Sequence, residues 1–202
     1  KNKQHITETA KKFIENSINI KIFNDPKIHV DEQKVNNVIS KFDIDKKEIN
    51  VILGIGGSGS TKRIPAKTFL KFMYNITQVK RCRFFLATGK NEEEQKILNE
   101  IMNSKLGHLC TPLDNLSIKE TLPIIKNCDI SVCNDTSFGH LSSALGINTI
   151  TLMADTPLIY GSYSSKMYPI IPEGETTVTH NTLGKERINP EKIFEKFIEI
   201  LN

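Results

Sequence analysis

Hydrophobic residues along the chain follow two spacings that alternate from one segment to the next. Apolar residues that recur every three or four positions indicate one buried face of a helix. They predict helices over residues 7–19, 31–42, 66–76, 91–102, 117–127, 137–145 and 189–201. Short apolar runs lie between these segments and predict buried strands over residues 50–55, 81–88, 128–133 and 147–153, with a weaker strand over 107–110.

This alternation predicts an α/β fold, in which a parallel sheet is covered by helices on both faces. Local signals support several helix starts. Ser117 and Glu120 have the spacing of a capping box, and Asn189 is followed by Pro190 at a first helical turn. Residues 1–30 differ in character from the rest, so we expect the sheet domain to comprise residues 31–202.

Composition is that of a globular protein, and it narrows the range of partners. Of 202 residues, 38% are hydrophobic and 25% are charged, and the net charge is only +4. No block of Lys and Arg resembles a nucleic-acid-binding arm, whereas a mildly basic surface suits an anionic ligand. No apolar run reaches the roughly 20 residues that cross a bilayer, and no signal peptide is evident.

Neither the cysteines nor the acidic residues predict a metal site. The four cysteines form no CxxC pair and have no histidines at zinc-like spacing, so we expect reduced core thiols and a cytosolic protein. Asp43 and Asp45 resemble the Asp-x-Asp pair of some sugar transferases. They precede a predicted strand instead of ending it, which favours a solvated turn.

The glycine-rich segment 54–59, GIGGSG, matches two nucleotide-binding patterns only in part. It follows a strand as a dinucleotide fingerprint does, but Pro65 delays the next helix, and the following strand ends in Thr88-Gly89 without an acidic residue. A nucleoside-triphosphate loop needs Lys directly after its second conserved glycine, where Ser60 stands. Neither pattern therefore describes this loop.

The same loop, residues 54–65, is nevertheless suited to bind an anion. It lies at the carboxyl end of a predicted parallel strand, the edge where ligands bind in open α/β sheets. Its small residues let backbone N–H groups approach a ligand, and Ser58 and Thr61 can donate hydroxyl hydrogen bonds. Lys62 or Arg63 supplies positive charge. A flexible surface loop is the alternative.

A second polar segment, Asp135-Thr136-Ser137, follows the strand over residues 128–133. The N-terminus of a helix exposes unpaired N–H groups and partial positive charge, which favour a bound phosphate. His140 falls in the first turn of that helix. Asp135 or Thr136 as a simple helix cap explains the segment equally well, so both interpretations remain open for it alone.

Taken together, the two loops resemble the donor-binding half of glycosyltransferase family nine, the bacterial lipopolysaccharide heptosyltransferases. The resemblance rests on Lys62-Arg63-Ile64-Pro65 and on the later Asp135-Thr136-Ser137-Phe138-Gly139-His140. The apolar helix, Leu-Gly and strand that follow also match, as does Tyr160-Gly161-Ser162-Tyr163. The match covers residues 28–172, and its most specific part is the Asp-Thr…His element.

The resemblance implies the carboxy-terminal, Rossmann-like domain of a two-domain GT-B glycosyltransferase. Such a domain binds a nucleotide-sugar donor, typically ADP-heptose, and needs no metal or other cofactor. The resemblance also implies site residues. Lys62 and His140 would act in catalysis, and the donor would be bound by Ser58, Lys62, Glu93, Leu116, Asp135, Thr136, Ser137 and His140, with Glu93 on the ribose and Leu116 beside the base.

The family's acceptor half and its acidic general base have no counterpart here, so we expect residues 1–30 to be the tail of a missing amino-terminal domain. Partners would be the nucleotide-sugar and a glycan or lipid-linked acceptor, at the cytoplasmic face of the inner membrane. Ser137, Ile64 and Ala154 depart from the family pattern and leave the sugar and the base open.

Three alternatives remain. The chain could be a non-catalytic nucleotide-sugar binding module, a GT-B-like epimerase, or a phosphosugar isomerase domain in which the serine loop is the main phosphate site. The transferase hypothesis makes one geometric demand, namely that Lys62 and His140 share a cleft.

Overall fold

The computed structural model of the protein describes residues 6–22 and 25–202, and it has the predicted α/β architecture. Its helices are α1 (Ile6–Ile18), α2 (Glu32–Lys41), α3 (Ala66–Thr77), α4 (Glu92–Met102), α5 (Ile118–Lys126), α6 (Ser137–Ala144) and α7 (Pro190–Leu201). Its strands are β1 (Ile49–Gly54), β2 (Cys82–Ala87), β3 (Cys110–Pro112), β4 (Ile130–Asn134), β5 (Asn148–Leu152) and β6 (Met167–Ile170). None of the helices in these ranges is long and apolar enough to cross a membrane.

The six strands form one parallel sheet in the order β3-β2-β1-β4-β5-β6. From β1 the chain builds outward through β2 and β3, then returns to the other side of β1 and continues through β4, β5 and β6. This reversal leaves a crevice beyond the carboxyl ends of β1 and β4, where ligands bind in sheets of this kind. The topology therefore brings the loops after β1 and β4 together.

Two strands differ from the sequence prediction, and both are at the edges of the sheet. The weak strand expected over 107–110 is a short 3₁₀ turn, Gly107–Leu109, followed by β3. Strand β6 was not predicted because it has only four residues and contains Pro169, which lacks a donor for the sheet. Short edge strands carry little of the apolar signal on which the prediction depends.

Helices cover both faces of the sheet and form two hydrophobic cores. Val51 and Leu53 of β1 belong to the larger core, which includes residues of α3, α4 and α7. Ile52, between them in sequence, belongs to the other core, with Ile124 and Ile125 of α5. Because side chains alternate across a strand, this division explains why β1 is a continuous apolar run with no polar face.

Helix starts and cysteines agree with the sequence analysis. Ser117 and Glu120 form the predicted capping box at the start of α5, and Asn91 caps α4 by accepting from Glu94 N at 3.0 Å. All four cysteines are free thiols, and three of them are buried. Burial raises the pKa of the Cys82 thiol to about 12, so this thiol remains protonated and unreactive at neutral pH.

Candidate functional site

A buried amide joins the two polar loops at the crevice. Asn134 is the last residue of β4, and its Nδ2 donates to the backbone oxygens of Ile55 at 2.9 Å and Gly56 at 3.0 Å. Both acceptors belong to the loop that follows β1. This contact fixes the glycine loop against the start of α6, so the two segments singled out in the sequence form one surface.

At Gly57 the two loops approach each other. A Cβ atom built on Gly57 would be 3.4 Å from Cγ of Arg63 and 3.5 Å from Cγ2 of Thr136. Arg63 is held by its own loop, because its Nη1 donates to the backbone oxygen of Gly57 at 2.9 Å. Of the two basic residues of this loop, Lys62 is thus the one that forms an ion pair with the second loop.

Lys62 and Asp135 form an ion pair across the crevice, with 2.9 Å between Nζ and Oδ2. The Lys62 side chain remains 27% exposed, whereas the Asp135 side chain is only 8% exposed. The Lys62 side chain is therefore accessible to a ligand that enters from solvent, with no rearrangement of the surrounding residues.

The N-terminus of α6 provides hydrogen-bond donors beside this ion pair. Thr136 occupies the N-cap position but makes no side-chain capping bond, and its Oγ1 is buried without a partner in residues 6–22 and 25–202. The helical ladder begins with Gly139 N donating to Thr136 O at 3.1 Å. The N–H groups of Ser137 and Phe138 precede that ladder, as in any helix start, and such groups favour an anion.

His140 lies one turn into α6 and is held by Tyr163. Its Nδ1 is 2.9 Å from the Tyr163 hydroxyl oxygen, and the two rings stack with centroids 5.5 Å apart and 13° between their planes. Burial lowers the pKa of His140, with Asp135 raising it and Lys62 lowering it further. Lys62 is paired with Asp135, which directly precedes the N-cap of α6, and His140 lies on that same helix, so the ion pair and the imidazole are both near the N-terminal end of α6.

A cavity of about 610 Å³ adjoins these groups, a volume within the range of ordinary ligand sites. It lies between the ends of β1, β2 and β3 and the start of α6. Its lining consists of Gly56, Gly57, Ser58, Thr88, Gly89, Lys90, Glu94, Asp114, Leu116, Ser117, Ile118, Thr136, Ser137 and Phe138. Four predicted residues are among them. Lys62, Asp135 and His140 adjoin the lining through Gly57 and Thr136.

Glu93, which the resemblance placed on the ribose, is exposed and does not line this cavity, so the geometry does not bring it to the site. Its neighbour Glu94 does line the cavity and is only 7% exposed. Oε1 of Glu94 accepts from Gly57 N at 2.6 Å, and Oε2 accepts from Nδ2 of Asn91. The helix phase of α4 explains the difference, since Glu94 shares its buried face with Leu98.

Sequence reasoning missed two further polar residues in the lining. Thr88 follows β2 and is 6% exposed, and its Oγ1 has no partner within the described part of the chain. Asp114 follows β3 and lines the cavity. Position could have found Thr88, which comes directly after β2 at the carboxyl edge of the sheet, whereas Asp114 lies two residues beyond β3, a strand whose bounds were not predicted.

No group of three His, Cys, Asp or Glu side chains with metal-binding geometry occurs in the ranges that the structure describes. The charges at the crevice belong instead to a lysine, a carboxylate and the start of a helix. Beside α6, the Lys62 ammonium group and the N–H donors of the helix suit a phosphate ligand, and the adjoining cavity is also lined by Lys90, Glu94 and Asp114.

Comparison with known proteins identifies the family of this chain. Residues 2–181 match the sequence model of glycosyltransferase family 9 (heptosyltransferase). The chain is 31% identical over 151 residues to lipooligosaccharide heptosyltransferase 2 of Campylobacter jejuni, a match that covers 71% of this chain and 45% of the relative. The chain thus spans about half the length of the curated relatives that it matches.

Solved structures with the same fold include a family 9 glycosyl transferase of Veillonella parvula, with a TM-score of 0.80 at 14% identity, covering 99% of this chain and 60% of that one. An E. coli heptosyltransferase solved with ADP has a TM-score of 0.70 at 14% identity, covering 98% of this chain and 57% of that one. At such identities the likeness shows the fold alone.

Proposed function

This chain belongs to glycosyltransferase family 9, and from that premise we propose that it binds the nucleotide-sugar donor of a heptosyltransferase-type glycosyltransferase. The donor would be linked to ADP, as one E. coli relative was solved with ADP. The acceptor would be a lipopolysaccharide or another glycan. Residues 31–202 would form the donor domain, and the acceptor-binding half and its general base would belong to a part of the protein outside these 202 residues.

One observation carries the proposal: a lysine ammonium lies at the N-terminal end of α6, the helix that also carries His140. Lys62 Nζ is 2.9 Å from Asp135, the residue that leads into α6. A diphosphate between Lys62 and the start of α6 would receive hydrogen bonds from Ser137 N–H and from the imidazole of His140. Each donor would be bound to negatively charged oxygen, where hydrogen bonds are strongest.

The adjoining cavity would hold the nucleoside. Leu116 lines this cavity, and its backbone and apolar side chain suit an adenine ring. Glu94 and Asp114 both line the cavity and carry carboxylate oxygens that can accept hydrogen bonds from ribose hydroxyls. We therefore assign the ribose contact to this acidic pair in place of Glu93.

The same groups would assist the chemical step. Transfer breaks the bond between the sugar and the diphosphate, and negative charge develops on the departing phosphate oxygen. Lys62 and the α6 N-terminus would stabilise that charge where it forms, without a metal ion. Removing one such preorganised donor typically costs about 3 kcal/mol of transition-state stabilisation, or roughly a hundredfold in rate.

One hydrogen bond of the loop after β1 favours this function over that of a phosphosugar isomerase. In an isomerase the serine loop would be the main phosphate site, and its backbone N–H groups would have to be available. Gly57 N instead donates to Glu94 at 2.6 Å, inside the protein. That N–H group is therefore not available to a phosphate at the loop.

Calorimetric titration of the chain with ADP, UDP and glucose 6-phosphate tests the proposal. We expect ADP to bind more tightly than the other two, and His140→Ala to weaken ADP binding while the melting temperature changes little. His108→Ala is the matched control, because His108 is exposed and lies in the 3₁₀ turn that precedes β3. Preference for glucose 6-phosphate, or unchanged ADP affinity in His140→Ala, would overturn it.

A further inference from the structure

Tyr163 contacts His140 through both its hydroxyl group and its ring. The hydroxyl oxygen is 2.9 Å from Nδ1, and the rings are nearly parallel. Tyr163 comes from the loop between β5 and β6, a different part of the chain from either polar segment. The Tyr163 side chain is partly buried, so the two rings are packed against each other below the surface.

A neutral imidazole carries a proton on only one of its two nitrogens. His140 is buried enough that its pKa is lowered, which favours the neutral form at neutral pH. The partner of Nδ1 therefore decides whether the other nitrogen, Nε2, can donate a hydrogen bond. Because Nδ1 is engaged by Tyr163, Nε2 is the ring nitrogen left to donate to the negatively charged oxygens of a ligand.

We propose that Tyr163 is a positioning residue for the donor site: its hydroxyl donates to Nδ1 of His140 and thereby fixes the Nε2–H tautomer. The Nε2–H group is then the one that donates to the diphosphate. The role for the ligand rests on the function proposed above, whereas the tautomer itself is a property of the ligand-free chain.

The chemistry of the two groups favours this direction of donation. A phenol is a stronger donor than acceptor, and an imidazole nitrogen with a free lone pair is a strong acceptor. Burial, and to a lesser degree Asp25, raise the pKa of Tyr163, so its hydroxyl keeps its proton. The charged groups that act on His140 itself are Asp135 and Lys62, and neither occupies Nδ1.

The loop that carries Tyr163 is fixed on both sides of the residue. Thr151 Oγ1 of β5 donates to the backbone oxygen of Gly161 at 3.1 Å. On the other side, Ser164 Oγ donates to Asp25 Oδ2 at 2.8 Å. The ring stack adds a further restraint on the imidazole plane. Tyr163 thus presents its hydroxyl from a held position, as a positioning residue must.

Side-chain ¹⁵N NMR of the ligand-free chain tests the tautomer directly. His140→Gln identifies the signals of His140 among the five histidines. We expect the wild type to show Nε2 protonated and Nδ1 as a hydrogen-bonded acceptor. Tyr163→Phe keeps the stacked ring and removes the hydroxyl, so the Nδ1 signal should shift toward that of an unbonded nitrogen. The pKa of His140 should also rise, because a bond that favours the neutral form is lost.

Tyr160→Phe is the matched control, since Tyr160 lies on the same loop but its ring faces His180. It should leave the His140 signals in place. An Nδ1–H tautomer in the wild type, or unchanged His140 signals in Tyr163→Phe, would overturn the proposal.

A double-mutant cycle on ADP affinity then tests the role for the ligand. Tyr163→Phe alone should weaken ADP binding about tenfold, which corresponds to about 1.4 kcal/mol. In His140→Gln the side-chain amide can donate to the ligand and has no tautomers. Adding Tyr163→Phe to this variant should therefore change ADP affinity less than about twofold, so the two substitutions should not be additive. Equal losses in both backgrounds would contradict the role. If the wild type did not bind ADP, the proposed function would fail, and the NMR result would still decide the tautomer.

Discussion

Lys62 Nζ lies 2.9 Å from Oδ2 of Asp135, although the two residues are 73 positions apart in the sequence. This ion pair joins the loop after β1 to the start of α6, the two segments that the topology brings to one crevice. It also means that the ammonium already has a carboxylate partner. A diphosphate would have to compete with Asp135 for Lys62, and it could do so because it carries more charge and more acceptor oxygens.

The first prediction concerns Lys62. Lys62→Met keeps most of the apolar stem and removes the charge, so ADP binding should weaken by about 2 kcal/mol, or roughly thirtyfold. Adenosine has no phosphate, and its affinity should be unchanged. Calorimetry with both ligands measures the difference.

Lys67→Met is the control for the Lys62 experiment, because Lys67 pairs with Glu186 on the exposed surface of α3. It should bind ADP like the wild type. Equal losses of ADP and adenosine affinity in Lys62→Met would indicate a structural effect on the cavity and would contradict a phosphate contact.

The second prediction separates the two neighbouring glutamates. Asn91 Oδ1 accepts from Glu94 N, which turns Nδ2 of Asn91 toward the Glu94 carboxylate. Glu94→Gln replaces one carboxylate oxygen by an NH₂ group. That buried NH₂ donor would face another donor, either Gly57 N or Asn91 Nδ2. We expect a loss of about 1–3 kcal/mol in the free energy of unfolding.

ADP affinity should fall in Glu94→Gln as well, because the glycine loop loses its anchor. Glu93→Gln changes an exposed carboxylate and should alter neither quantity. Urea unfolding and calorimetry on both variants provide the comparison. A loss of ADP affinity in Glu93→Gln with none in Glu94→Gln would return the ribose role to Glu93.

The third prediction uses two glycines of the same loop. A Cβ on Gly56 would lie 2.5 Å from Glu94 Oε1 and 3.0 Å from Thr88 Oγ1, inside a packed region. Gly56→Ala should therefore lower the free energy of unfolding by about 1–3 kcal/mol, the usual cost of overpacking.

Gly59 provides the matched case, because a Cβ there would meet nothing closer than 3.9 Å. Gly59→Ala should leave the denaturation midpoint and ADP affinity close to those of the wild type. If the two variants unfolded at the same urea concentration, the close packing described around Gly56 would be wrong.

The fourth prediction concerns pH. Burial lowers the pKa of His140 below its ordinary value of 6.5, so the unfolded chain takes up a proton more readily than the folded one. The contribution of His140 to stability is therefore complete above pH 6.5 and declines as the pH falls below it. An NMR titration of the His140 ring in the folded chain should give a midpoint under 6.5.

Charge substitutions around His140 should move that midpoint in opposite directions. Asp135→Asn removes a group that raises the pKa of His140 and should lower it further, whereas Lys62→Met should raise it. Shifts in the same direction for both variants would show that the pair does not act on His140 through its charges.

The sequence predicted most of the sheet and its helices because buried strands and amphipathic helices leave long apolar patterns. It predicted β1 and β4 as strands, and it placed Lys62, Asp135 and His140 at one edge of the sheet. Strand β6 escaped prediction because a four-residue edge strand with a proline leaves almost no pattern.

Within the site, helix phase and loop structure limited the prediction. Three consecutive glutamates look alike in sequence, yet only Glu94 shares the buried face of α4 with Leu98 and Ile101. Leu98 and Ile101 lie four and seven residues after Glu94, and this helical spacing could have identified Glu94 as the buried glutamate. The contact between Tyr163 and His140 had no such signal, because an irregular loop of known sequence can reach many positions.

A crystal structure of the chain with ADP would decide whether a diphosphate occupies the crevice between the β1 loop and α6. Phosphate oxygens should lie within hydrogen-bond distance of Lys62 Nζ and of the Ser137 backbone N–H, with adenine beside Leu116. ADP bound at another surface, with the ion pair between Lys62 and Asp135 intact and no phosphate beside α6, would contradict the proposed donor site.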